Sequence, residues 1–153
     1  MTRWQDRIPW HVIKACLWIA RKATSSKPEP DGPYILAECS HELLRKTLGT
    51  HHFEPHWELS YSYRGEVENL RRVTWTDDDY PWFQTHVRSW DVPDGERTAT
   101  NGGQAIKVRA HWEPESVAHP VAHLDGVGFE RTRAMRTLRG ILDEAGIPNE
   151  FVA

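Results

Sequence analysis

Two stretches of the chain combine proton-transfer groups, cations and aromatic rings at a spacing of two. Residues 82–92 place Trp82, Gln84, His86, Arg88 and Trp90 on one face of a strand, and residues 104–112 place Lys107, Arg109 and His111 on one face of another. If the two strands pair as a hairpin, these faces align. Cations interleaved with aromatics suit a phosphate backbone and stacked bases. An imidazole exchanges protons near neutrality, and a guanidinium stabilises charge on a phosphorus centre. The pattern assigns acid and base roles to His86 and His111, catalytic and phosphate contact to Arg109, and nucleic-acid contact to Arg88, Lys107, Trp82 and Trp90. The plainer alternative is a solvated sheet face. A slip of one residue in register would disperse the cluster.

Other histidines call for metal chemistry to be considered. His111, His119 and His123 lie close together, with Glu113, Glu115 and Asp125 beside them. These are ligand types for a divalent ion, but the spacing matches no standard motif, and His119 precedes a proline. They read as loop histidines, as do His51, His52 and His56, so neither a metal site nor a cofactor is assigned. His41-Glu42-Leu43-Leu44-Arg45 has Arg45 where a zinc-binding helix needs its second histidine. Gly126-Val127-Gly128 lacks the third glycine of a dinucleotide fingerprint. Asp77-Asp78-Asp79 reads as a solvated turn, and Arg133 and Arg136 as an exposed helix face.

The elements that must position these residues follow from periodicity. A first helix is expected at about 9–23, starting at Pro9. A polar, proline-rich connection (24–33) leads to a second helical pattern that Pro33 opens, carrying Leu36, Cys39, Leu43, Leu44 and Leu48 and stopping at Gly49. Together they predict a helical hairpin over 9–48. Strands are expected at 56–64, 68–75, 82–92 and 104–112, with 113–128 irregular. Glu130 to Ala145 is an amphipathic helix within a C-terminal unit over 129–146, its stripe made by Ala134, Met135, Leu138, Ile141, Leu142 and Ala145. The expected fold is α+β: an N-terminal αα-hairpin, a four-stranded antiparallel meander over 56–112, and a closing helix packed on the sheet, all in a single domain over 1–153.

Composition bounds the function. The 153 residues are 39% hydrophobic and 27% charged, with a net charge of −3. That is neither a disordered chain nor one that is basic overall, as a general nucleic-acid binder would be. Among its 19 basic residues, 14 arginines and 5 lysines favour planar, bidentate contacts, although a GC-rich genome gives the same bias. The longest apolar stretch, Trp10 to Ala20, is interrupted by His11 and Lys14 and is too short to cross a bilayer. The start Met1-Thr2-Arg3 has no signal-peptide shape, so a cytoplasmic address is expected. Cys16 and Cys39 read as buried thiols of a reduced protein, with a disulfide between two packed helices as the alternative. Eight tryptophans are hard to bury in one small domain, so two or three are expected at a binding surface or a homo-oligomer contact.

The order of two helices, a meander and a closing helix resembles the RelE-like toxin layout, without that family's usual first strand. The stretch from Lys107 through His111, His119-Pro120 and His123 to the last helix is similar to the His-Pro-rich tail of TumE-type toxins. The Arg-rich, Lys-poor style also resembles proteins of haloarchaea and their mobile elements. The toxin resemblance implies a small RNA-cleaving toxin neutralised by a cognate protein, with His86, Arg88, Arg109 and His111 as its site. The leading expectation is therefore an RNA-binding protein of ribonuclease-toxin type that needs no metal. The alternative is a non-enzymatic interaction or assembly module of a virus or mobile element, anchored by exposed tryptophans. A histidine-ligated metal protein is the third reading.

Overall fold

The computed structural model describes residues 12, 27–56, 62–75, 81–93, 103–116, 118–124 and 129–153. The expected first helix at 9–23 lies outside the described residues apart from Val12, and so do most of the expected strand at 56–64, Cys16, and Trp4, Trp10, Trp18 and Trp57.

Among the described residues nine elements follow one another: β1 (Tyr34–Ala37), α1 (His41–Thr50), β2 (Glu54–Pro55), β3 (Glu66–Trp75), β4 (Pro81–Asp91), β5 (Ile106–Pro114), α2 (Pro120–Leu124), α3 (Arg131–Glu144) and β6 (Asn149–Val152). The strands form one six-stranded sheet in the order β2-β3-β4-β5-β1-β6, and every neighbouring pair is antiparallel. The α+β class and the antiparallel sheet are as expected, but the four-stranded meander and the helical hairpin are not.

The hairpin fails at Tyr34-Ile35-Leu36-Ala37. A short, continuous apolar run suits a buried helix or a strand buried on both faces, and periodicity does not separate the two. Here it is β1, lodged between β5 and β6, with Ile35, Leu36 and Ala37 all buried. The helix begins only after Ser40, whose hydroxyl accepts a bond of 3.1 Å from the Leu43 N–H and caps the first turn. It also runs past Gly49 and ends at His51, after which His52 takes a positive φ of 65°. β6 and the short α2 were not anticipated. β6 follows Gly146, whose φ of 68° suits a residue without a side chain at the end of α3.

The core lies on one face of the sheet. Ile35 and Ala37, Val87, Val108 and Ala110 pack against Leu44 and Leu48 of α1 and against Ala134, Met135, Leu138, Ile141 and Leu142 of α3. The apolar stripe expected of the C-terminal helix is buried up to Leu142. Each fully buried leucine contributes about 2 kcal/mol of transfer free energy. That face fixes the register, and the register sets which residues meet on the other face.

Candidate metal centre

The second face carries the residues singled out for chemistry. β4 and β5 pair with His86 opposite His111, Arg88 opposite Arg109 and Trp90 opposite Lys107. On the other side of β4, β3 sets Arg71 opposite His86 and Asn69 opposite Arg88. The hairpin assumed from the sequence therefore exists, and it aligns the expected cluster.

The face is not an open one. His86 is 3% exposed, Trp90 2%, and Arg88, Asn69 and Gln84 are buried. The cations are engaged within the protein. Arg88 forms a short ion pair with Glu66 and lies 4.8 Å over the Tyr63 ring. Arg109 donates to the carbonyl of Gly32 and, at 2.9 Å, to that of Pro33, and it lies 3.4 Å from the Glu29 carboxylate. Lys107 stands 4.0 Å from the same carboxylate. Trp82, in contrast, is 46% exposed, with the His119 ring 4.5 Å away, and Trp75 is more exposed still. Among the described tryptophans, these two match the expectation of exposed rings.

What the register brings together is a histidine–carboxylate cluster. Glu113 stands two residues beyond His111 on β5 and opposite Gln84 on β4, so it shares the face of both histidines. Its Oε1 lies 3.1 Å from His86 Nδ1 and accepts a 3.0 Å bond from Gln84 Nε2. Its Oε2 lies 3.3 Å from His111 Nε2. One donor atom from each of His86, His111 and Glu113 falls within 4.8 Å of the others. His123, from α2, brings Nδ1 to 3.6 Å from Oε1. Phe129 stacks on His111 at 4.9 Å, and His56 lies 5.0 Å from the His86 ring.

Electrostatics fix the charge states. Burial, with the neighbouring imidazole and guanidinium groups, pushes His56 far down. Burial also drives His86 down to about 3. Burial alone would raise the Glu113 carboxyl, but the His111 and His86 imidazoles beside it more than reverse this and hold it well below the carboxylate range. The cluster is thus an ionised carboxylate with His86 neutral, the protonation that metal ligation requires.

Two further features suit an ion. His86 is held through Nδ1, 3.1 Å from Oε1, while its buried Nε2 has no hydrogen-bond partner among the described residues. Buried polar atoms are rarely left so. The Glu113 carboxylate also presents Oε1 to His86 and Oε2 to His111, which brings one donor atom of each residue within 4.8 Å of the others.

Glu113 was named among the acids beside His111 but was not placed with His86. Ending the strand at 112 turned it into a loop acid, whereas β5 runs to Pro114 and the alternation that links His111 to Glu113 was already visible. His119 faces Trp82, Glu115 accepts a 3.0 Å bond from Arg71, and Asp125 lies outside the described residues. His56, read as a loop histidine, is buried beside His86.

Compared with known proteins, the chain matches no protein family, no curated protein and no solved structure.

Proposed function

We propose that this protein is a metal-binding α+β domain that holds one divalent transition-metal ion through His86, His111 and Glu113. The observation that carries this reading is the convergence of three donor atoms, from His86, His111 and Glu113, to within 4.8 Å of one another on a largely buried face. Two imidazoles and a carboxylate are the ligand set of catalytic zinc and non-haem iron sites. Gln84 serves as the outer partner that orients the Glu113 carboxylate.

RNA binding through the same face remains the rival. It requires cations free to meet phosphate, and the pairing of Arg88 with Glu66 and of Lys107 and Arg109 with Glu29 favours the metal reading over it.

The test is metal analysis of the purified protein, followed by zinc titration after chelation. One ion per chain is expected, with affinity reduced at least ~100-fold in His86→Ala and Glu113→Gln, both checked for fold by circular dichroism. Absence of stoichiometric binding by the wild-type protein overturns the reading. Salt-sensitive RNA binding that Arg109→Ala abolishes would establish the rival instead.

A further inference from the structure

We infer that the ion in this centre keeps one coordination position for an external ligand, and that this ligand is a small oxyanion, a carboxylate or phosphate oxygen. The inference rests on the metal reading and extends it in two ways.

The first argument is a donor count. His86, His111 and Glu113 supply three donors, and a tetrahedral ion needs four. Two further histidines stand near the cluster, His56 with its ring 5.0 Å from that of His86 and His123 with its Nδ1 3.0 Å from the Pro114 carbonyl. A carbonyl oxygen only accepts, so Nδ1 carries the proton, and among the described residues the donors within 4.8 Å of one another are those of His86, His111 and Glu113 alone. Gln84 turns its amide nitrogen, not its oxygen, to Glu113. Among the described residues no fourth protein donor reaches the cluster.

The second argument is charge. A divalent ion with one carboxylate and two neutral imidazoles leaves a net charge of about +1 at a largely buried point, which is costly without a counter-charge. The other nearby carboxylates are already committed, Glu115 to Arg71 and Glu66 to Arg88. An anion completing the coordination supplies both the missing donor and the missing charge. Its approach is from the His111 side. The His111 and His123 side chains keep 18% and 23% of their surface exposed, whereas that of His86 is closed off at 3%.

Cobalt(II) reports both steps, because its visible bands follow coordination. The wild-type protein, stripped of metal, is loaded with one equivalent of cobalt and desalted, then titrated separately with acetate and with inorganic phosphate. The expected result is a saturable shift of the bands with one anion per chain, while the ion stays bound. A shift with acetate alone identifies a carboxylate ligand, and one with phosphate alone identifies a phosphate ligand. Tetrahedral cobalt bands that neither anion moves overturn the open position and leave the metal reading standing. Absence of protein-bound cobalt overturns both.

Discussion

The buried histidines make acid stability a sharp test of the structure. His86 is driven down from 6.5 to about 3 and His56 further still, burial being the first cause for both. In the unfolded chain each titrates near 6.5. A folded pKa below the unfolded one means that the native state refuses a proton that the unfolded state accepts. The stability these two groups contribute is therefore intact above the unfolded value and is lost as pH falls toward the folded ones. Each proton taken up on unfolding changes stability by about 1.4 kcal/mol per pH unit, so two give a slope approaching about 2.7 kcal/mol per unit between about pH 6 and 5. From about pH 6.5 to 4.5 the loss reaches about 5 kcal/mol, comparable with the whole stability of a small domain. Urea unfolding of the metal-free protein, followed by tryptophan fluorescence in chelator-containing buffers across this range, measures the slope. His56→Gln removes one of the two protons and should lower the slope by about half. A wild-type slope below about 1.4 kcal/mol per unit, or an unchanged slope in His56→Gln, would refute the burial of two neutral imidazoles on this face.

Three further perturbations probe the frame around the site. His41 links α1 to β4 through Nδ1, 2.8 Å from the hydroxyl of buried Ser89, and Nε2, 3.0 Å from Asp91. His41→Ala strands that hydroxyl and should destabilise the fold by about 1–3 kcal/mol in urea titration, with little change in metal affinity. Leu138 is almost fully buried in the core, so Leu138→Ala should lose about 2–5 kcal/mol, read as a lower urea midpoint. Cys39 is a free, buried thiol whose pKa burial raises to about 11 from 9.0. In a Cys16→Ser variant its alkylation near neutral pH should be about 100-fold slower than that of an unfolded thiol and should recover in urea. The same shift makes its contribution to stability one that declines as pH rises from about 9 toward 11.

How much of this was legible depended on whether a residue's role follows from its own strand or from where the chain returns. The alternation of residues 82–92 and 104–112 carried the face and even the pairing, because a period of two assigns sides whatever else the chain does. The stripe of α3 was equally plain. Alternation does not say what lies over a face. His86 and Arg88 read as outward, yet the polar face is closed. Glu29 and the backbone at Gly32 and Pro33 take up Arg109, and Glu66, at the start of β3, takes up Arg88. Those partners stand far away in sequence, so local reasoning left the cations looking free. Tyr34–Ala37 failed for a related reason. Four apolar residues with both sides buried carry no periodic signature, and only the gap beside β5 makes them a strand. The site turned on a smaller boundary error. Two more residues of strand moved Glu113 from a loop to a position opposite Gln84, where its carboxylate meets the two histidines read as acid and base. With the carboxylate set between the two histidines and Arg88, Lys107 and Arg109 paired with carboxylates from distant parts of the chain, the observed pairing is what favours the proposed ion over a phosphate backbone.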